Sequence, residues 1–234
     1  MAHWLERLLD ITAIARDQST LEAALSQLAD RFDFSGYAFV NLRPGHSFAV
    51  SNYQAEWQER YYQENFRHLD PVVRQAQKWR RAFAWSGESE KASLSKEERR
   101  FFADASEYDI RSGVSIPVAT PNGAISMLTF ASSKANLSTE NDIDAIVAAS
   151  AVAQLHARID QLKVQPSIEE TVYLSPKEAT YVRWLEQGKT VEDAADIENV
   201  KYNTVRIALA DARRRYDLCN NTQLVALAIR RGLI

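Results

Sequence analysis

The C-terminal part of this chain contains helix start and stop signals at close spacing, and these signals restrict its fold more than any other feature. Ser175-Pro176-Lys177-Glu178 combines an N-cap residue, a proline at the first helical position and a capping-box glutamate. Gly188 ends this helix, and Thr190 caps a second, short helix that runs to about Ile197. A tight turn follows at residues 198–200. A short helix, a tight turn and a further helix together predict a helix-turn-helix.

The pattern predicts that the third helix of this segment begins at Asn203 or Thr204 and runs to about Tyr216. Apolar residues recur along it at helical spacing, at Val205, Leu209, Ala212 and Tyr216. Another face carries arginine and asparagine, which can bond base edges in the major groove. We therefore predict that this segment binds duplex DNA through Arg206, Asn203, Thr204, Arg213 and Arg214, with phosphate contacts from Lys189, Lys201 and Arg215. A charged face that is merely solvated is the alternative.

The net charge of −3 does not by itself favour a nucleic-acid partner, but the charge is unevenly distributed. Lys201 to Arg215 holds five basic residues and one acid, and a local basic helix matters more for DNA binding than the whole-chain charge. The single cysteine excludes an intrachain disulfide framework, and the four scattered histidines show no metal-ligand spacing. The uncharged stretch Ala145 to Leu155 is about half of the roughly 20 residues that span a bilayer. We expect a soluble, cytoplasmic protein that has no metal ion and no membrane partner.

The likeliest domain boundary by composition is KVQPSIEET, residues 163–171, which interrupts two strongly helical regions. We predict a first domain at 1–162, a linker at 163–171 and a DNA-binding domain at 172–234. In the first domain, helical spacing occurs at 4–15, 21–32, 55–66, 71–79, 95–108 and 139–163, and strand patterns occur at 36–42, 47–51, 83–85, 112–119 and 124–131. Turns at 43–46 and 120–123 join two pairs of strands. The predicted fold class is α+β: an N-terminal α/β/α sandwich with an antiparallel sheet, as in sensory domains, and a small all-α helix-turn-helix domain.

Two predicted helices are apolar around much of their circumference. The helix at 139–163 reads AIVAASAVA at its centre, and the helix at 222–231 reads LVALAI. A helix that is apolar on every side is buried on more than one side. We therefore expect a homodimer with two separate contact regions. For the helix at 139–163, a position wholly inside the core of its own domain is the alternative.

The C-terminal string LSPKEATYVRWLEQGKTVEDAAD, followed by NTVR and a terminal GLI, resembles the DNA-binding domain of LuxR-type regulators. The matching positions are Leu174, Ser175, Glu178, Gly188-Lys189-Thr190, Ala195, Thr204-Val205 and the terminal Gly-Leu-Ile. The sequence departs from the family pattern at Asp193-Ala194, where Glu-Ile is usual, and at Asn221, where a basic residue is common. Ala210 stands where close relatives carry an arginine.

The N-terminal half contains the spacing YxxxW…DPVV…W, formed by Tyr53, Trp57, Asp70-Pro71 and Trp85. With NYQAEWQERYY, LDPVVRQAQ, FAWSGE and IRSGVSIP, this pattern resembles the acyl-homoserine-lactone domain of LuxR-type quorum-sensing activators. Within that family the similarity is to activators of conjugal transfer encoded on rhizobial plasmids, and it covers essentially the full chain. A receiver domain of a response regulator is not supported, because its set of acids and lysine is missing.

The resemblance implies a role for each matching residue. Asp70 accepts the amide N–H of the ligand, Tyr53 donates to the amide carbonyl, Trp57 donates to the lactone carbonyl, and Thr129 lies near a 3-oxo group through water. These roles suit the chemistry of tyrosine and tryptophan as donors and of an ionised aspartate as an acceptor. Candidates for the remaining wall are Ala38, Val40, Ala49, Tyr61, Val72, Val73, Trp85, Phe101, Ile110 and Met127. Alternatively, Tyr53 and Trp57 are ordinary core residues and Asp70 is a helix cap.

The whole pattern therefore predicts a ligand-dependent transcriptional activator rather than an enzyme. The resemblance implies N-3-oxooctanoyl-L-homoserine lactone as effector, a palindromic operator in double-stranded DNA, RNA polymerase as a partner, and an antiactivator protein that binds the activator. Three alternatives stay open: an enzyme that hydrolyses an amide or lactone, a homologue impaired in DNA binding that acts through mixed dimers, and a regulator of a different effector. Ala210 is the residue that favours the second.

Overall fold

The structure is a computed structural model that describes residues 2–44, 46–120, 124–137, 144–169 and 171–234. The chain divides into two compact units. Residues 1–42 and 48–169 form the first unit, and residues 43–47 and 170–234 form the second. No helix in these described ranges is both long enough and apolar enough to cross a membrane.

Helices and strands before residue 170 follow the predicted mixed pattern. The helices are α1 (Ala2–Ile14), α2 (Gln18–Arg31), α3 (Ala55–Gln63), α4 (Pro71–Trp79), α5 (Lys96–Ser106) and α6 (Ala145–Leu162). The strands are β1 (Gly36–Arg43), β2 (His46–Ser51), β3 (Phe83–Ser86), β4 (Ser112–Ala119), β5 (Ile125–Ser132) and β6 (Ile168–Glu169). Side-chain caps begin four of these helices, because Asp17, Asp70, Ser95 and Asp144 each accept backbone N–H groups of the first turn.

The strands form one six-stranded sheet in the order β3-β4-β5-β1-β2-β6. β1 and β4 both pair antiparallel with β5, and β3 pairs antiparallel with β4, with Phe83 opposite Ser115. The predicted strands at 36–42, 83–85, 112–119 and 124–131 are confirmed to within one residue at each end. Of the predicted turns, Gly45 and residues 121–123 lie outside the described residues.

Two apolar clusters occupy opposite faces of this sheet. One packs α1, α2 and α6 against β1, β4 and β5, and the other packs α3, α4 and α5 against the opposite face. Met127 belongs to the second cluster and its neighbour Leu128 to the first, because successive side chains of a strand point to opposite faces. The predicted α/β/α sandwich is confirmed.

The predicted helix at 55–66 is too long. α3 ends at Gln63, and Asn65 adopts a left-handed conformation with φ of 53° before a short 3-10 turn at Phe66–His68. Asparagine tolerates this conformation better than most residues and so interrupts the helix. At the other end, α3 begins at Ala55 as predicted, and Tyr53 stands two residues before it.

The helix predicted at 139–163 is present as α6, and residues 139–143 lie outside the described part. Its buried face consists of Ala148, Ala151, Val152, Leu155 and Ile159. Ile146 on the same helix is 79% exposed. The alternative of a helix wholly inside its own domain core is therefore wrong.

The predicted linker at 163–171 is ordered as part of the first unit over most of its length. Ile168–Glu169 forms β6, which pairs antiparallel with β2 so that Ala49 stands opposite Ile168. The backbone N–H of Ser167 donates to the carbonyl of Ala49 at 2.9 Å. The description of 163–169 as a free linker is corrected, because the exposed edge of β2 offers unpaired backbone groups to the passing chain.

The second unit contains α7 (Pro176–Glu186), α8 (Val191–Ile197), α9 (Tyr202–Arg215) and α10 (Asn221–Arg230). Both predicted capping boxes are confirmed, at Ser175 with Glu178 and at Thr190 with Asp193. α9 begins at Tyr202, slightly before the predicted start, and Lys201 occupies its N-cap without a side-chain hydrogen bond. The predicted apolar stripe of α9 is confirmed, since Val205, Leu209, Ala212 and Tyr216 are all buried.

Candidate ligand cavity and nucleic-acid interface

A cavity of about 100 Å³ lies in the first unit between the sheet and α3, α4 and α5. The wall contains every residue predicted to contact the ligand: Ala38, Val40, Ala49, Tyr53, Trp57, Tyr61, Asp70, Val72, Val73, Trp85, Phe101, Ile110, Met127 and Thr129. The structure thus brings these residues together, and their roles toward a ligand stay predictions.

The wall also contains residues that the sequence reasoning missed, namely Leu42, Ser51, Gln58, Tyr62, Arg67 and Ile168. Gln58 stands three residues before Tyr61 on α3, and this spacing places both side chains on one helix face. That spacing could have identified Gln58 as part of the wall. No spacing in the sequence indicated Ile168, which lies in the interval predicted to be a linker.

Asp70 is the buried acidic group of the cavity wall, with 7% of its surface exposed. Its Oδ1 accepts the N–H groups of Val72 at 2.8 Å and Val73 at 3.3 Å, and its Oδ2 accepts the hydroxyl of Tyr61 at 2.9 Å. A carboxylate accepts about four hydrogen bonds, and the described residues donate three, which leaves one acceptor position. Burial raises the pKa of Asp70 to about 6, although Tyr61 and the two backbone amides favour the ionised form. Asp70 is therefore the predicted helix cap and also an acceptor in the cavity wall.

Tyr53 supplies a buried donor to the same cavity. Its ring lies against Gly36, where an added Cβ would stand 3.0 Å from a ring carbon, so glycine permits the close approach. The Tyr53 hydroxyl is buried without a hydrogen-bond partner among the described residues. Burial and then the charge of Asp70 raise its pKa, so the hydroxyl keeps its proton. An unpaired donor and an acceptor position in one cavity fit a group that offers both a carbonyl and an N–H, such as a secondary amide.

Trp57 anchors an aromatic wall around this polar pair. Its ring centroid lies 5.8 Å from those of Phe66 and Phe101, 6.0 Å from that of Tyr61 and 5.5 Å from that of Tyr108. Edge-to-face and offset contacts at such distances hold large side chains in defined orientations. The wall around Trp57 is therefore preformed and apolar.

A hydrogen-bonded chain of side chains lies on the sheet side of the cavity. The indole Nε1 of Trp85 donates to Ser115 Oγ at 3.0 Å, and Ser115 Oγ lies 2.8 Å from Thr129 Oγ1. Because an indole can only donate, Ser115 accepts from it, and either hydroxyl of the Ser115–Thr129 pair can donate to the other. When Ser115 donates, the hydroxyl hydrogen of Thr129 is free for an acceptor in the cavity.

The exposed face of α9 carries the predicted base-contacting side chains. Arg206 and Asn203 are exposed, and Arg206 Nε donates to Asn203 Oδ1 at 3.1 Å. Thr204 and Lys201 are exposed at the start of the same helix, and Lys189 is exposed just before α8. The pattern resembles a recognition helix in which the first turns hold polar and cationic groups.

Arg215 does not belong to this exposed set, which weakens the prediction that it holds phosphate. Its guanidinium makes two hydrogen bonds to the Glu178 carboxylate, at 2.8 and 3.3 Å, and lies 4.7 Å from the ring centroid of Tyr173. Burial disfavours the charge of Glu178, but hydrogen bonds from Arg215 and from the Ser175 backbone outweigh it and lower the Glu178 pKa. Arg215 therefore ties α9 to the start of α7 inside the second unit.

Arg213 is also occupied within the second unit. Its Nη1 donates to the carbonyl of Cys219 at 3.2 Å, and its Nε donates to the carbonyl of Leu209 at 3.4 Å. These contacts turn the guanidinium toward the end of its own helix and weaken its case as a base contact. Arg214, by contrast, is 79% exposed and pairs with Asp211.

Comparison with known proteins agrees with both units. A family model described as an autoinducer binding domain matches residues 17–159. The chain is 48% identical to the transcriptional activator protein TraR of Agrobacterium vitis and 47% identical to TraR of Rhizobium radiobacter, in each case over 234 residues that cover both proteins completely. Among solved structures, Escherichia coli SdiA matches over 99% of this chain and 98% of its own, with a TM-score of 0.56 at 20% identity, which is a likeness of fold.

The contrast between Arg215 and its neighbour Arg214 can be measured directly. We expect Arg215→Ala to lower the free energy of unfolding of the second unit by about 2 kcal/mol, because Glu178 is left nearly buried without its partner. Arg214→Ala should change it by less than about 0.5 kcal/mol, since exposed pairs contribute little. Urea unfolding of the full chain, followed by amide exchange in α7 and α9, measures both. Equal effects of the two substitutions would contradict a stabilising role for the pair of Arg215 with Glu178.

Proposed function

Because this chain belongs to the TraR-like family of autoinducer-binding transcriptional activators, we propose that its effector is N-3-oxooctanoyl-L-homoserine lactone and that the liganded homodimer binds a palindromic operator. The genes it controls would be those of plasmid conjugal transfer. Family membership supports an effector of the acyl-homoserine lactone type and ligand-dependent activation of transcription. It also excludes the hydrolytic enzyme that the sequence left open.

The observation that carries the ligand proposal is a buried pair of polar groups, Asp70 and Tyr53, in a cavity whose wall is mostly apolar or aromatic. Asp70 has one free acceptor position, and the buried Tyr53 hydroxyl has no partner among the described residues. An unpaired buried polar group is costly, roughly 1–3 kcal/mol, and a ligand amide satisfies both groups at once. The amide carbonyl would accept from Tyr53, and the amide N–H would donate to Asp70.

The remaining wall fits the rest of such a ligand. Trp57 would donate its indole N–H to the lactone carbonyl, within the aromatic cluster that surrounds its ring. Thr129, oriented through Ser115 by Trp85, would serve a 3-oxo group directly or through water. Apolar side chains such as Val40, Val73 and Ile110 would contact the acyl tail. The hydrophobic effect of burying each methylene is about 0.8 kcal/mol, so the tail would contribute much of the affinity.

The homodimer proposal rests on apolar surface that each unit leaves exposed. Ile146 of α6 is 79% exposed and Ile229 of α10 is 55% exposed, although both helices also bury a face. A second copy would cover each surface in a two-fold arrangement. Two recognition helices related in this way would read half-sites about one helical turn, roughly 34 Å, apart. RNA polymerase and an antiactivator protein would be further partners, as in the family.

The ionisation of Asp70 predicts how lactone binding depends on pH. The ligand N–H needs an ionised acceptor, and Asp70 has a pKa of about 6, raised by burial. We expect the affinity for N-3-oxooctanoyl-homoserine lactone to fall about tenfold from pH 7 to pH 5, as protonation removes the acceptor. In the ligand-free protein, Asp70 also affects stability. Its pKa is higher in the folded chain than in the unfolded chain, so its contribution lowers the free energy of unfolding as the pH rises from about 4 to 6.

Asp70→Asn separates the acceptor from the helix cap, because asparagine also caps helices well. We expect its lactone affinity at pH 7 to fall by about tenfold or more and its pH dependence to disappear. Asp144→Asn is the matched control, since Asp144 caps α6 through the same pair of backbone bonds. Isothermal titration of the three proteins measures the effect. Unchanged binding by Asp70→Asn would remove Asp70 from the ligand site.

Arg206 and Lys189 should differ in what they contribute to operator binding. Arg206→Ala should cost about 1–3 kcal/mol on the cognate operator and relax preference at one base pair. Lys189→Ala should weaken all duplexes alike and make the salt dependence shallower by about one unit. Ala210 is half-buried and offers only a methyl group, so Ala210→Arg should tighten binding to operators of arginine-bearing relatives.

Binding isotherms on single-base operator variants at two salt concentrations measure these effects. An equal loss for every variant with Arg206→Ala would make Arg206 a phosphate contact. No operator binding by the liganded wild-type chain, rescued by Ala210→Arg, would instead favour a regulator that acts through mixed dimers.

A further inference from the structure

We propose that residues 167–169 form one wall of the ligand cavity and transmit its occupancy to the chain that leads into the second unit. This inference rests on the proposed function, since it concerns how the same ligand is sensed. These residues were predicted to be linker, and the structure instead places them on the edge of the sheet as β6. They stand directly before residues 170–234 in the chain.

The first argument is the position of Ile168. It lines the cavity together with Ala49, and the two residues are paired across β2 and β6. Paired residues of adjacent strands project on the same face of a sheet, so both side chains border the same space. Part of the ligand-binding surface is therefore supplied by the segment that connects the two units.

The second argument is a chain of hydrogen bonds from this segment to Tyr53. Ser167 Oγ donates to Gln58 Oε1 at 2.7 Å and accepts the N–H of Ser51 at 3.1 Å. Gln58 Nε2 in turn donates to the backbone carbonyl of Tyr53 at 2.7 Å. Gln58 and Ser51 also line the cavity. Tyr53, which we expect to bind the ligand amide, is thus joined to residues 167–169 through the side chain of Gln58.

The third argument is that only a few contacts hold β6 on the sheet edge, so a bound ligand can shift the equilibrium between its paired and unpaired states. β6 has two residues, and a strand of that length at a sheet edge depends on its few contacts for stability. A ligand shifts such an equilibrium only by the contacts it makes in one state and not in the other. Contact of the ligand with Ile168 and ordering of Tyr53 would be present only when β6 is paired. A bound ligand would then favour the paired state and hold in place the residues directly before the second unit.

Hydrogen exchange of the full chain, with and without N-3-oxooctanoyl-homoserine lactone, tests the proposal. We expect the ligand to slow amide exchange at residues 164–169 at least tenfold. In Ser167→Ala this slowing should fall to less than threefold, and the lactone dissociation constant should rise about three- to tenfold, as for one lost hydrogen bond. Ser106→Ala is the matched control, because Ser106 is an exposed serine of the same unit that bonds only a local carbonyl.

A second variant tests the contact of Ile168 without the hydrogen bonds. Ile168→Ala enlarges the cavity, so the ratio of affinities for decanoyl over octanoyl lactone should rise about fivefold. Ile14→Ala, at an exposed site on α1, should leave this ratio unchanged. Lactone-dependent gain in operator affinity should fall at least threefold in both Ser167→Ala and Ile168→Ala.

The outcomes separate the two claims. Absence of lactone binding by the wild-type chain would overturn the proposed function and this inference with it. Normal lactone binding, with unchanged exchange at residues 164–169 and wild-type behaviour of both variants, would overturn this inference alone.

Discussion

A single buried carboxylate connects the fold of the first unit to the chemistry of its cavity. Asp70 caps the backbone of α4, receives the hydroxyl of Tyr61 from α3 and keeps one acceptor position toward the cavity. Most of the surrounding wall is apolar or aromatic. Because a buried charge is tolerated only when hydrogen bonds satisfy it, we propose that the position of Asp70 fixes where the polar part of a ligand lies. We expect the orientation of the whole ligand to follow from that constraint.

Local signals made much of this structure predictable from sequence. The capping boxes at Ser95, Ser175 and Thr190 each depend on residues three apart, and all three are present in the structure. The strands at 112–119 and 124–131 were predictable because their apolar and β-branched residues are bounded by turn residues. The cavity wall was predictable through the resemblance to a family, since no spacing within the sequence brings Ala38 opposite Thr129.

Contacts between distant residues were not predictable. Glu178 and Arg215 are far apart in sequence, and only the packing of α7 against α9 brings them together as an ion pair. β6 was missed because a strand of two residues has no periodicity and forms only where the edge of β2 is available.

The arginines of α9, the predicted recognition helix, differ in how far they are exposed. Arg206 and Arg214 are exposed on α9 and bond only side chains of the same helix, whereas Arg213 and Arg215 are half-buried and bond groups beyond it. We therefore predict that base readout depends heavily on Arg206 and on Asn203, one turn before it. Ala210, in the following turn of α9, offers only a methyl group.

The central claim is that one buried carboxylate and one buried hydroxyl recognise a secondary amide. Isothermal titration of the wild-type chain with N-3-oxooctanoyl-homoserine lactone and with its amide N-methylated analogue tests this claim most directly. The analogue keeps the carbonyl for Tyr53 but has no N–H for Asp70. We expect the parent lactone to bind and the analogue to bind at least about 100-fold more weakly, because a site built to bond an N–H strongly rejects a ligand that lacks it. Equal affinity for the two compounds, or no binding of the parent lactone, would contradict the account.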